Sequence, residues 1–129
     1  MAGTSTAIES GTQLRDQVVA IGHDLALEVQ TEVAVGRRVW GAKRRIDVVL
    51  RHPASRQSLG IECKYQGTQG SAEEKIPATI QDIAAWPIRG IVVFDGAGFS
   101  PNMTAYLLST GVAVELCDAK KWFELYFGL

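Results

Sequence analysis

Three charged residues near the middle of the chain are spaced for chemistry on a β-hairpin. Asp47 sits in the run Arg45-Ile46-Asp47-Val48-Val49-Leu50-Arg51, and Glu62 and Lys64 sit in Leu59-Gly60-Ile61-Glu62-Cys63-Lys64-Tyr65. The stretch between them, His52 to Ser58, contains Pro53. Proline cannot continue a central ladder, so this stretch reads as a turn and the two runs as antiparallel neighbours. Leu50 then faces Leu59 or its neighbour, and Asp47 falls opposite Glu62 or close to it, at about 5 Å between opposed side chains. Lys64, two residues beyond Glu62, projects on the same side of the sheet, while Cys63 points to the other.

Two carboxylates so close repel each other, and Val48, Val49, Leu50, Leu59 and Ile61 make their surroundings half dry. Without a cation the arrangement raises a carboxylate pKa and weakens the fold. A hard divalent ion resolves the conflict. Mg²⁺ takes carboxylate and carbonyl oxygens and keeps several waters, with the main-chain carbonyl of Cys63 available as a third oxygen. An Asp/Glu–Lys ion cluster on an exposed sheet face is the other reading of the same residues, and spacing alone leaves both open.

The elements that must position these groups are legible as patterns. Ala7, Ile8, Leu14, Val18, Ile21 and Leu25 recur at helical steps over residues 7–27, with Thr6, Ser10 or Thr12 as caps. Gly22 is a weak point within that helix. Alternation over Val29, Thr31, Val33 and Val35 predicts a strand from Glu28 to Val35. Gly36 and Gly41 then mark a bend or hairpin, followed by the strands of Asp47 and of Glu62.

Ser71-Ala72-Glu73-Glu74 has capping-box spacing, and a regular helix is expected from Pro77 to Trp86. Gly90–Asp95 reads as a buried strand of the parallel type. Ser100-Pro101 opens a helix to about Thr110. Val112–Leu116 reads as a short strand and Lys120–Phe127 as a terminal amphipathic helix. The order is α-β-β-β-α-β-α-β-α over one domain, residues 1–129, with no repeat and no linker.

Composition fits that picture. The 129 residues are 47% hydrophobic and 21% charged, an ordinary globular balance. No apolar run approaches the ~20 residues that cross a bilayer, and Met1–Glu9 has no secretory pattern, so a cytoplasmic protein is expected. Cys63 and Cys117 lie far apart in apolar segments, which suits buried thiols better than a disulfide or a zinc site. His23 and His52 have no partners at ligand spacing.

Net charge is only −1, but its distribution is uneven. Residues 36–56 carry seven bases (Arg37, Arg38, Lys43, Arg44, Arg45, Arg51 and Arg56) against Asp47 alone, while the segments on either side are acidic. A near-neutral chain with one basic block suits a local phosphate-contacting surface, and a solvated hairpin is the simpler alternative. The apolar terminal helix, with Trp122, Phe123, Leu125, Tyr126 and Phe127, either packs on the core or forms a dimer contact.

Ile46-Asp47, fourteen intervening residues and Glu62-Cys63-Lys64, set on this element order, resemble the PD-(D/E)XK nuclease superfamily. Ile46 replaces the motif's proline. The resemblance covers roughly residues 7–95, and the segment from Gly70 to Pro77 also resembles the start of that family's second core helix. It implies a restriction-endonuclease-like α/β/α fold with a central mixed sheet: an α-β-β-β-α-β core followed by a C-terminal α-β-α.

The same resemblance implies a Mg²⁺-dependent DNA endonuclease of structure-selective or low sequence specificity, with Mn²⁺ as a substitute. A noncatalytic nucleic-acid-binding or assembly module on the same fold is the alternative. Asp47, Glu62 and the Cys63 carbonyl are then the metal ligands. Lys64 orients water or offsets transition-state charge, and Glu9 on the first helix (or Asp16 or Gln13) completes the site. Arg37, Arg38, Lys43, Arg44 and Arg45 precede the catalytic strand and become candidate phosphate contacts, with Trp40 stacking on a base or filling an apolar gap. Gln81 and Lys75 are candidates for the surrounding shell. DNA is the expected partner, no membrane is, and a homodimer would let two single-strand sites cut both strands.

Overall fold

The computed structural model describes residues 10–37, 43–68 and 75–129. Helix α1 (Gly11–Asp24) is capped by Ser10, whose backbone is extended and whose hydroxyl accepts the Gln13 amide at 3.1 Å; the candidate cap Thr6 lies outside the described residues. Strands β1 (Glu28–Arg37), β2 (Lys43–Arg51) and β3 (Ser58–Tyr65) follow as consecutive antiparallel neighbours. Helix α2 (Ile76–Ala84) leads to β4 (Arg89–Asp95), parallel to β3. Helix α3 (Pro101–Ser109) leads to β5 (Ala113–Glu115), parallel to β4, and α4 (Leu116–Phe127) follows directly. Spatial order equals chain order in one mixed sheet.

Element order agrees with the expectation, and a few boundaries move. Helix α2 opens a residue earlier, at Ile76, with Pro77 in its first turn, where the missing N–H has no intrahelical partner to lose. Helix α4 begins a full turn earlier, at Leu116, because β5 spans only three residues.

Helices α1 and α4 cover one face of the sheet, and α2 and α3 the other. On the first face Leu14, Val18, Phe123 and Phe127 meet Val48, Leu50, Leu59, Ile61, Ile91 and Val93. On the second, Ile76, Ile83, Trp86 and Leu107 meet Ile46, Val92 and Phe94. The terminal helix therefore packs on the core: Ala119, Phe123 and Phe127 are buried, and the Tyr126 hydroxyl donates to the Ser58 carbonyl at 3.1 Å. Among the described residues no helix is long and apolar enough to cross a membrane.

Gly22 is a contact point where a weak point was expected. A Cβ there would stand 2.7 Å from Leu50 Cδ2 and 2.9 Å from Val29 Cγ2, so the missing side chain lets α1 lie close on the sheet.

Strands β1 and β2 also break the simple alternation. Val29, Val48 and Leu50 pack toward α1 and α4, yet Val35, Ile46 and Val49 pack toward α2 and α3. Ile46 and Val48, two apart, thus face opposite layers. The ladder pairs Thr31 with Val48 and Val33 with Ile46 and skips the step between. That step is Glu32, whose φ is +54°, opposite Asp47. The pleat turns over at the position of the candidate carboxylate.

Candidate active site

The 52–57 turn sets the register that the site depends on. Its main-chain bonds join His52 to Gln57 (2.9 Å) and Arg56 to His52 (2.8 Å), and His52 Nδ1 accepts the amides of Ala54 and Ser55. Leu50 then pairs with Leu59, Val49 with Gly60 and Val48 with Ile61, after which the β2–β3 ladder ends. One step further along, Asp47 Oδ2 accepts the Cys63 amide at 2.9 Å. The side chain takes the place of a main-chain carbonyl where the pleat of β2 turns over. β3 meanwhile keeps its parallel partner through Tyr65 and Asp95, which holds the Glu62–Lys64 segment extended.

Glu62 and Lys64 share a side of β3, as alternation requires, with Lys64 Nζ 3.4 Å from Glu62 Oε2. Cys63 packs toward the opposite layer. Burial, reinforced by Asp47 and then Glu62, pushes its thiol upward, so it stays protonated and offers only its main chain.

Two clefts meet at Glu62. The smaller, of about 380 Å³, brings Asp47, Glu62 and Cys63 together with Arg15 and Glu32 beside the first turn of α1. The larger, of about 600 Å³, is lined by Glu62, Lys64, Lys75, Gln81, Arg44 and Asp82 against the face of α2. The two acids thus share one cleft. Lys64 stands in the other, held beside them through Glu62.

Burial raises the Asp47 carboxyl above the ordinary carboxylate range. The Cys63 amide opposes that rise, Glu32 adds to it, and Lys64 and Arg15 oppose it. Two carboxylates and a carbonyl are hard oxygen donors, so the donor set fits a hard divalent ion such as Mg²⁺. Among the described residues, however, no three Asp, Glu, His or Cys side chains stand together closely enough to hold one ion. Glu9 lies outside the described residues. Asp16 and Gln13, its alternates, are exposed on α1, and neither lines the Asp47 cleft.

The basic block divides. Arg38 and Trp40 lie outside the described residues, and Arg37 is described by its backbone alone. Lys43 and Arg45 are exposed. Arg44 is tied down, its Nε 2.8 Å from Asp82 Oδ1 with both side chains about one-sixth exposed. Gln81 and Lys75 are exposed on the wall of the larger cleft.

Sequence reasoning missed Arg15, Glu32 and Asp82. Asp82 had a signal in its spacing, four residues before Trp86 on the helix expected over 77–86; in the structure α2 ends at Ala84, and Asp82 accepts the Trp86 indole N–H at 3.2 Å. Glu32 had none, because a positive φ at a non-glycine position leaves no mark in residue type.

This combination of fold and motif agrees with what known proteins show. A family model described as the PD-(D/E)XK nuclease superfamily domain matches residues 6–122. The chain belongs to the PD-(D/E)XK nuclease superfamily. Among solved structures it is similar to the protein of unknown function AF1548, with a TM-score of 0.53 and 19% identity, covering 81% of this chain and 56% of that one. It is also similar to protein VC1899 from Vibrio cholerae, with a TM-score of 0.56 and 14% identity, covering 88% of this chain and 33% of that one. The chain therefore spans about half of the first and a third of the second. No curated protein matches.

Proposed function

We propose that this domain is a Mg²⁺-dependent DNA endonuclease of structure-selective or low sequence specificity, in which Mn²⁺ can replace Mg²⁺. One observation carries the reading: Asp47 and Glu62 line a single cleft with Cys63, and Lys64 stands 3.4 Å from Glu62. Asp47, Glu62 and the Cys63 carbonyl hold the metal, with Glu9 as a further ligand or outer-sphere acceptor. The chemistry that the ion supplies when bound is Lewis-acid activation of water and of the phosphodiester.

Asp47 is fixed by the Cys63 amide, so its carboxylate stays aimed without losing rotamer freedom at each turnover. Lys64 orients the attacking water and offsets the negative charge that builds on the phosphorus oxygens. Lys43 and Arg45, with Arg37 and Arg38, hold the DNA backbone leading to the strand of Asp47, and Trp40 stacks on a base. Lys75 and Gln81, on the wall of the larger cleft against α2, belong to the shell around the site. One such cleft cuts one strand at a time, and a homodimer would let two clefts cut both strands in one encounter.

The test is incubation of supercoiled, linear, nicked and branched DNA with the protein and Mg²⁺ or Mn²⁺. Nicked product from wild type, absent with Lys64→Ala, supports the proposal. Inert wild type on every substrate and both metals refutes it.

A second reading, a nucleic-acid-binding module without catalysis, is favoured by the lack of a three-ligand cluster among the described residues. It predicts salt-dependent DNA affinity, no cleavage, and affinity unchanged or raised in Asp47→Ala.

A further inference from the structure

We propose that Arg15 is a phosphate-binding residue that grips the DNA backbone from the helix side of the Asp47–Glu62 cleft. The inference rests on the nuclease reading above. Arg15 lines that cleft together with Gly11 and Thr12 of α1, across from the acids contributed by β1, β2 and β3. Among the described residues its ion pair is with Asp16, at 3.7 Å, and Asp16 is the more exposed of the two. Adjacent residues on a helix do not face each other, so that pair is a loose one. A guanidinium on a side chain about one-third exposed, lining the cleft and held only loosely, is available to a ligand, and its planar fork suits phosphate.

Charge balance points the same way. Asp47, Glu62 and Glu32 in the cleft outweigh Arg15 and the Lys64 that pairs with Glu62 by one negative charge. A divalent ion reverses this to one net positive charge, the complement of a single phosphodiester. Without Arg15 the loaded cleft would be neutral, with little attraction for DNA. A guanidinium serving only as counter-ion to the carboxylates would contribute to folding and not to DNA affinity, and this difference can be measured.

The test uses the whole chain as wild type, Arg15→Gln and Arg15→Lys, with thermal melting to establish folding and the Mn²⁺-induced rise in Tm to report metal binding. Affinity for a labelled DNA duplex is read by anisotropy in Ca²⁺ buffer across a series of KCl concentrations. The expected result is an unchanged Mn²⁺ response in Arg15→Gln. The slope of log affinity against log salt becomes shallower by about 0.9, as for one lost phosphate contact on a B-form duplex, and Arg15→Lys restores most of it. Should Arg15→Gln not fold, Arg15→Met, which keeps an unbranched apolar stem, takes its place. If wild type binds and cleaves DNA while the neutral variant keeps the wild-type slope, the Arg15 assignment is wrong and the nuclease reading survives. If wild type neither binds nor cleaves, both fail together.

Discussion

Asp47 serves two ends that oppose each other. Its carboxylate holds the Cys63 amide and so closes the end of the hairpin, yet it does this in a half-dry cleft facing Glu32. A carboxyl whose pKa is raised by folding favours the native state only while protonated, so it lends stability below its ordinary titration range. That contribution is lost as pH rises through the raised value. Asp47→Asn keeps an oxygen for the Cys63 amide and removes the charge. Its Tm in EDTA should therefore exceed that of wild type near pH 7, and the gain should shrink as pH falls through the carboxylate range. Melting curves at several pH values check this; an Asn variant less stable than wild type at pH 7 would mean that Asp47 is a structural ion-pair partner. Adding Mn²⁺ should raise the wild-type Tm and leave Asp47→Asn unmoved, because only a ligand bound to the native state shifts the transition.

At the scale of elements, α2 is tied to the sheet by Asp82. One carboxylate oxygen takes Arg44 from β2 and the other takes the Trp86 indole, whose ring lies over Gly60 of β3 and Gly90 of β4. Asp82→Ala strands a largely buried guanidinium and an indole N–H together, and is expected to cost about 2–4 kcal/mol in urea unfolding. Gly90→Ala would drive a Cβ to 2.5 Å from the same ring, which the Asp82 bond holds in place, and should cost about 1–3 kcal/mol. Both variants should also impair cleavage, since Arg44 and Asp82 form a wall of the cleft that holds Lys64.

Much of this element-level structure was legible in the sequence. Pro53 and the flanking apolar runs gave the hairpin and its register, and with it the meeting of Asp47 with the Glu62–Lys64 strand. The reversal of the pleat at Glu32 and Asp47 was not legible, because alternation arguments assume an unbroken strand. Gly22 read as a helix defect because propensity is local, whereas the reason for a glycine there is the contact with Leu50 and Val29. Arg44 read as a free cation because its partner Asp82 lies 38 residues away.

At the scale of the whole molecule, the two clefts and the candidate metal donors gather toward the Lys43 end of β2 and the Tyr65 end of β3, the end that carries Lys43, Arg44 and Arg45 of the basic block, while α1 and α4 cover the apolar face of the sheet. The acidic segments on either side keep the net charge at −1, so DNA affinity should depend on this one surface and fall steeply with salt. Charge-reversal of Lys43 and Arg45 together should weaken DNA binding at low salt by tenfold or more while leaving the Mn²⁺ response intact; anisotropy and thermal shift on the same variant check the two halves. The central claim is that Asp47 and Glu62 share one divalent ion. Calorimetric titration of Mn²⁺ into wild type, Asp47→Asn and Glu62→Gln tests it most directly. A saturable wild-type site that either substitution abolishes is the predicted result. No saturable site in wild type, or one that survives both substitutions, would contradict it.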